Sequence, residues 1–340
     1  MYSLLRSFLF EMEAERSHDF VMNALRLASK NRQALSALSK HYADKIPERP
    51  LKLMGLDLKH PIGLAAGLDK QGVAGNALSA LGFAWVEYGT VTPLPQAGNE
   101  KPRMFRLPEH QALINRMGFN SIGLEAFLKN IQSTQPNLIK GLNIGKNAAT
   151  PIEKANEDYI AGMRAVYPMA DYVCVNISSP NTKDLRELQS DESLDSLLSA
   201  VSETRKSLED QHGFHRPIVL KVAPDLDIEQ IDHLAKALLK FKIDGLAATN
   251  TTLSRISVEG HKYAEEAGGL SGAPIQERAT ECIAAFRQRL QGEVVIIGSG
   301  GIHDVNSAKA KLDAGADALQ LYTGFIYHGP ALIKEIVTSI

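Results

Sequence analysis

Between positions 176 and 182 the chain reads Asn176-Ile177-Ser178-Ser179-Pro180-Asn181-Thr182, two carboxamides around a hydroxyl-rich turn. Pro180 restricts Ser179 to an extended or turn conformation. No histidine in the loop offers itself as a base, and a lone serine is ordinarily a hydrogen-bonding turn residue. Its setting suggests more. Asn115, Asn176, Asn181 and Asn250 each offer a donor beside an acceptor, a set that suits a planar ring bearing carbonyls and N–H groups. Lys221 is embedded in the apolar run Ile218-Val219-Leu220-Lys221-Val222-Ala223, so it is expected to face an anionic ligand group rather than solvent. Lys70 closes a similar segment. Gly298-Ser299-Gly300-Gly301 would let backbone N–H groups approach a phosphate without Cβ interference. Gly300, Gly301, Tyr322 and Thr323 are candidate donors there, although a tight turn also calls for glycine.

Other chemistries find little support. The ten histidines are scattered without an H-E-x-x-H spacing, and Cys174 and Cys282 are the only cysteines. Neither a metal site nor a disulfide framework is expected, and two unpaired thiols suit a reducing compartment. No G-x-S-x-G elbow is present. A net charge of −2 leaves no electrostatic footprint for nucleic acid. With 44% hydrophobic and 22% charged residues, the chain can form a large packed core.

These residues need elements to hold them. From residue 61 onward, short apolar runs read as strands: Pro61–Ala66, Ala84–Thr90, Ile139–Gly145, Asp171–Ile177, Pro217–Ala223, Ile243–Thr249, Glu293–Gly298 and Asp317–Tyr322. Helical segments alternate with them at Thr150–Tyr167, Asp191–Asp210, Asp227–Phe241, Pro274–Leu290, Asp304–Ala314 and Pro330–Ile340. In the first, Thr150 reads as N-cap, with Pro151 at N1 and Glu153 at N3. Roughly eight β–α repeats close a (β/α)₈ barrel, whose active site lies at the C-terminal strand ends. The successive ends carry Lys70, Thr90, Asn143 with Lys146, the Ser179 loop, Lys221, Thr249-Asn250-Thr251-Thr252, the glycine run and Tyr322-Thr323-Gly324. A doubly wound open sheet is the structural rival. It usually has fewer strands, and Ala65-Ala66-Gly67-Leu68-Asp69-Lys70 is not its G-x-G-x-x-G loop.

Composition shifts near Pro47–Pro50. Before it, Leu5, Leu9 and Met12, with Met1 and Phe8 on the same side, make one amphipathic helix. Asp19 is read as the cap of a second, carrying Met22, Leu25, Leu35 and Leu38. The extension 1–46 is either a cap on the main unit, 47–340, or a membrane-facing surface. No signal-peptide pattern is seen, and no stretch of about 18 apolar residues could span a bilayer.

Taken in order, the Ser179 loop, Ala65-Ala66-Gly67-Leu68-Asp69-Lys70, Asn115-Arg116-Met117-Gly118-Phe119, Ile144-Gly145-Lys146-Asn147, Gly268-Gly269-Leu270-Ser271-Gly272 and Ile297-Gly298-Ser299-Gly300-Gly301-Ile302 resemble class 2, quinone-dependent dihydroorotate dehydrogenases. The resemblance covers essentially the whole chain, helical extension included. It implies a (β/α)₈ TIM barrel that oxidises (S)-dihydroorotate to orotate in pyrimidine biosynthesis, with FMN as hydride acceptor and a membrane quinone as final acceptor. Ser179 matches the family's catalytic base, where class 1 members carry cysteine; Cys174 is offset from it. The proton would leave through Thr182 or past Phe119. The resemblance places Lys70, Asn115, Arg116, Met117, Gly118, Phe119, Asn176, Asn181, Asn250 and Thr251 at the substrate. It places Ala66, Gly67, Leu68, Asp69, Lys70, Thr90, Asn143, Asn176, Lys221, Thr249, Gly272, Gly301, Tyr322 and Thr323 at FMN, with Lys221 near the N1/O2 edge of the flavin. His18, Arg106 and Tyr322 resemble the polar lining of the family's quinone tunnel, between the N-terminal helices and the barrel. A peripheral membrane location on the cytoplasmic face of a bacterial inner membrane is implied, with no obligate protein partner. The rivals are another flavin barrel such as a 2-hydroxyacid oxidase, which favours a histidine base, a colourless phosphate-binding lyase or isomerase, and a catalytically dead membrane scaffold.

Overall fold

The computed structural model describes residues 2–182, 185–189 and 191–340, without the side chain of Asp191. Met1, assigned above to an apolar helix face, lies outside them. Eight parallel strands close a barrel: Ile62–Leu64, Trp85–Val91, Ile139–Ile144, Tyr172–Asn176, Ile218–Val222, Gly245–Ala248, Val295–Ser299 and Ala318–Leu321. The ring closes where the fifth strand pairs with the sixth, Val219 opposite Gly245, and the eighth with the first, Gln320 opposite Gly63. Every expected strand is present and in order. Parallel strands covered on both faces are apolar along most of their length, and the second, fourth and fifth are buried at every residue.

Among the described residues, twelve α-helices accompany the strands. Three precede them: α1 Tyr2–Glu11, α2 Ala14–Ser29 and α3 Arg32–His41. The others are α4 Gly75–Ala80, α5 Gly123–Ile131, α6 Ala155–Val166, α7 Asp191–His212, α8 Ile228–Lys240, α9 Gln276–Leu290, α10 Val305–Asp313, α11 Thr323–His328 and α12 Ala331–Ser339. Capping boxes start α8 and α10, where Asp227 pairs with Gln230 and Asp304 with Ser307. The main core lies between barrel and helices. A smaller one fills the barrel interior, where Trp85, Tyr172 and Cys174 pack under the hairpin Leu51–Leu53/Leu56–Leu58. Met54 and Gly55 turn that hairpin with φ of 49° and 84°, both positive as the tightest hairpin turn requires. Trp85 lies flat on Gly63, where a Cβ would come within 2.0 Å of the indole.

Three expectations are corrected. The extension holds three helices rather than two, because Asn31 accepts from the N–H groups of Gln33 and Ala34 and starts α3 afresh. Asp19 lies inside α2, which is capped by Glu13. Thr150 caps nothing: a short 3-10 turn, Ile152–Lys154, follows Pro151, and α6 begins at Ala155. An antiparallel sheet of Met104–Leu107, Ala112–Asn115 and Gly269–Gly272 was not foreseen. Its own apolar cluster includes Phe105, Ile114 and Leu270.

Candidate active site

The C-terminal strand ends converge on one pocket. Thr90, Asn176, Lys221, Thr249, Asn250 and Thr251 reach it directly from the barrel, and Ser179 and Asn181 from the loop after the fourth strand. The antiparallel sheet closes another side, bringing Asn115 from the end of its central strand, Met117, Gly118 and Phe119 from the loop that follows, and Gly272 from an edge strand. Asn143 stands behind Thr90, accepting its hydroxyl at 2.6 Å. From there the polar groups form a chain. The Asn176 amide donates to Thr90 Oγ1 at 3.0 Å. Ser178 Oγ donates to Asn176 Oδ1 at 3.0 Å, and the Asn250 amide donates to Ser178 Oγ at 2.9 Å. The Asn181 amide donates to the Asn115 carbonyl at 3.1 Å. The carboxamides therefore hold fixed orientations before any ligand arrives. Ser179 is buried, and its Oγ accepts from the Asn181 N–H at 3.3 Å.

Glycines line the side of the pocket below the seventh and eighth strands. Gly272, Gly300 and Gly301 have φ of 101°, 98° and 78°, a region costly for other residues. A Cβ on Gly301 would lie 2.5 Å from the Gln276 nitrogen at the start of α9. Thr323 Oγ1 donates to Ser271 Oγ at 2.8 Å, so both hydroxyls are held at this wall. Nearby, Gln320 lines the pocket and its buried Oε1 has no partner among the described residues. A glycine cradle, paired hydroxyls and an unfilled acceptor suit a phosphate-bearing cofactor with a polar ring.

Lys70 faces two cavities. One is the pocket; the other lies between α2 and the barrel and is also lined by His18, Gly67, Leu68 and Asp69. Burial, then the nearby Arg103 charge, pushes Lys70 down to about 7, and its Nζ donates to Asn120 Oδ1 at 2.5 Å. Burial, then Lys70, pushes His18 down to about 4. Asp69 is a loop anchor, its carboxylate accepting from Val73 and Ala74 N–H at 3.0 and 2.7 Å. Tyr322, raised to about 12 by burial, stands on the pocket side of Gly67. His18 and Tyr322 thus flank the same loop from opposite cavities.

Three other predicted residues, Arg116, Arg106 and Lys146, do not face the strand-end pocket. The Arg116 guanidinium turns from the pocket to Glu266 at 2.6 Å and to the Pro102 carbonyl at 2.8 Å. Arg106 donates to the Phe10 carbonyl at 3.0 Å and stacks over the Phe10 ring, while its Nη2 is buried without a partner among the described residues. Lys146 also turns away, donating to the carbonyls of Asn147 and Thr150. Thr182 Oγ1 is buried and has no partner among the described residues. Burial drives the Cys174 thiol well above its usual value, which suits inert packing. The site also contains residues that inspection of strand ends passed over. Ser271 and Gln320 line it, and beneath it the carboxylate of Glu87 accepts from Asn143.

Fold and site together define a (β/α)₈-barrel enzyme. The family model for dihydroorotate dehydrogenase matches residues 50–340, and the chain belongs to that family. It is 52% identical over 340 residues to a protein from Burkholderia cenocepacia named dihydroorotate dehydrogenase (quinone), covering 100% of this chain and 97% of that one. A protein of the same name from Pseudoalteromonas translucida is 50% identical over 339 residues, covering 100% and 99%. Among solved structures, the Eimeria tenella enzyme in complex with ferulenol superposes with a TM-score of 0.86 at 35% identity, covering 96% of this chain and 90% of that one.

Proposed function

We propose that this protein oxidises dihydroorotate to orotate, with FMN in the barrel mouth and a membrane quinone as final electron acceptor. The observation that carries the reading is the convergence of Ser179, the four asparagines and the glycine cradle on one pocket, in a chain of this family. Gly272, Gly300, Gly301 and Thr323 would hold the FMN phosphate, and Thr90, Asn143, Lys221 and Tyr322 the ring side. When bound, FMN supplies the two-electron acceptor for the hydride leaving substrate C6.

The protein's own groups do the rest. Asn115, Asn176, Asn181 and Asn250 orient the substrate ring, a positioning contribution. Lys70 binds the substrate carboxylate. Ser179 Oγ takes the proton from C5. A free hydroxyl is a weak base, so this proton transfer is coupled to loss of the hydride and to relay onward. Thr182 Oγ1, buried and unpartnered among the described residues, is suited to receive the proton. Lys221 places positive charge where reduction adds negative charge to the ring.

The helices before residue 47 serve the quinone and the membrane in this reading, with residues 47–340 as the catalytic unit. Leu4, Phe8, Phe20 and Leu27 are exposed on α1 and α2, and the Phe8 and Phe20 rings meet edge-on at 6.5 Å. Such a face suits a helix lying in a bilayer interface. No described helix is long and apolar enough to cross a membrane. The cavity between α2 and the barrel leads from these helices to Lys70 and Gly67, with His18 on its wall. Arg106, packed on Phe10 of α1, and Tyr322, across the Gly67 loop from this cavity, are the other proposed quinone contacts. In a bacterial cell the protein would sit peripherally on the cytoplasmic face of the inner membrane.

The test is the visible spectrum of the purified protein before and after anaerobic addition of dihydroorotate. A flavin spectrum that bleaches is expected. A flavin spectrum that persists points to a different flavoenzyme, and no flavin after FMN is supplied overturns the assignment.

A further inference from the structure

Glu87 lies midway along the second barrel strand and is completely buried. Its carboxylate joins four other strands. Oε1 accepts from Asn143 Nδ2 at 2.8 Å and faces Lys221 Nζ at 3.7 Å. Oε2 accepts from the Tyr172 hydroxyl and from Gln320 Nε2, each at 2.8 Å. Lys221 and Gln320 line the pocket and Glu87 does not, so the carboxylate lies one layer deeper than the ammonium.

These donors explain how a buried carboxylate is tolerated, but not why one is there. A buried ion pair is often replaceable by apolar side chains without loss of stability. The position of this pair gives it a different use. Reduction adds negative charge to a flavin ring, and charge near its edge tunes how readily it accepts electrons. The Lys221 ammonium favours that charge. A carboxylate behind the ammonium opposes it and keeps the lysine in place.

We propose that Glu87 is a positioning residue that fixes Lys221 at the pocket floor, partly cancels its field, and thereby sets the reduction potential of the bound flavin. The inference rests on the reading of the pocket as an FMN site. Through Asn143 the same carboxylate also orients Thr90 and Asn176, because the Asn143 amide donates to Glu87 and leaves Oδ1 for the Thr90 hydroxyl.

The experiment is a spectroelectrochemical titration of the holoenzyme, with flavin content measured from its visible absorbance. Glu87→Gln keeps the shape and removes the charge. Its flavin content should stay near that of the parent protein. Its midpoint potential should rise by at least a tenfold change in the two-electron equilibrium, about 30 mV. Glu87→Asp keeps the charge but draws it back, and should move the potential the same way by less; it carries the test if the glutamine variant does not accumulate. Tyr172→Phe removes a donor to the same carboxylate without changing charge, and should leave the potential in place. An unchanged or lowered potential in the Glu87 variants, or an equal rise in Tyr172→Phe, overturns the proposal. A parent protein that takes up no flavin overturns the FMN reading instead, and this inference with it.

Discussion

Glu15→Ala should release the start of α2 from the barrel while leaving the barrel folded. Glu15 and Arg103 are 5% and 6% exposed, and Arg103 Nη2 meets Glu15 Oε1 at 2.8 Å. Lys101 adds a third charge at 3.1 Å. Removing one partner of a buried pair costs about 3–5 kcal/mol, because the other charge stays buried. Arg103 keeps two acceptors, the carbonyls of Ala97 and Asn99, both at 2.8 Å. The low end, about 3 kcal/mol, therefore applies. It corresponds to roughly a hundredfold weaker docking, at about 1.4 kcal/mol per tenfold. Amide hydrogen exchange reads this directly: protection along Glu15–Phe20 should fall by about two decades, with the barrel strands unchanged. At the far end of α2, Ser29 Oγ still accepts the Ala77 N–H at 3.0 Å, so protection there should fall less. Acid should mimic the substitution. Burial pushes the Glu15 carboxyl up, but hydrogen bonds from Arg103 and Lys101, with their charges, reverse this and hold it below 4.5. A carboxyl lowered in the folded state stabilises fully above its unfolded value, and that contribution disappears as pH falls through the folded one. Unchanged protection in Glu15→Ala at neutral pH would refute the view that this ion pair anchors the extension.

Three other predictions concern the pocket. Ser179→Ala should retain flavin while slowing its reduction by dihydroorotate about 10²- to 10⁴-fold, the range of a lost general base; stopped-flow bleaching at the parent rate would remove Ser179 from that role. Gly301→Ala should lose flavin on gel filtration, because the new methyl would sit 2.3 Å from the Gln276 Cα and push the loop off its path; full retention would place the phosphate elsewhere. Lys70 is lowered to about 7, so its charge is present below that pH and lost above it. The KM for dihydroorotate should rise as pH climbs through 7, and Lys70→Met should abolish that inflection; an inflection that survives the substitution belongs to another group.

The barrel was legible because its parallel strands are largely buried on both faces and read as mostly apolar runs at regular intervals. The elements that escaped are those without such a run. Leu51–Leu53 and Leu56–Leu58 have three residues each, with Lys52 and Asp57 exposed between apolar neighbours. Gly269–Gly272 has glycine at both ends, so only its pairing with Asn115 through Ala112 makes it a strand. In the extension, Met22 with Leu25 and Leu35 with Leu38 are each spaced i, i+3, on either side of the break between α2 and α3. Periodicity therefore carried the reading past Asn31, whose side chain starts the new helix. The polar strand ends were legible for a similar geometric reason: once the barrel closes, they have only one mouth to face.

Glu87 stayed hidden because it lies within a strand rather than at its end, yet a physical signal for it was present. Lys221 in an apolar run implies a buried cation, and a buried cation needs an anion nearby. The remaining acids of the eight runs stand at or beside a strand start. Three of them accept the backbone N–H that begins a neighbouring strand: Asp171 from Lys140, Asp244 from Ile218 and Asp317 from Ile296, at 2.7–2.8 Å. Those carboxylates belong to the end of the barrel away from the pocket. Glu293 precedes its strand. Glu87 alone is central, in Trp85-Val86-Glu87-Tyr88, as Lys221 is in its own strand and Gln320 in Ala318-Leu319-Gln320-Leu321. Two opposite charges and a carboxamide, each mid-strand in a closed barrel, come within reach of one another across its interior, where Asn143 and Tyr172 add donors to the same carboxylate. The partner of Lys221 is therefore readable from the sequence by pairing buried charges rather than reading strand ends.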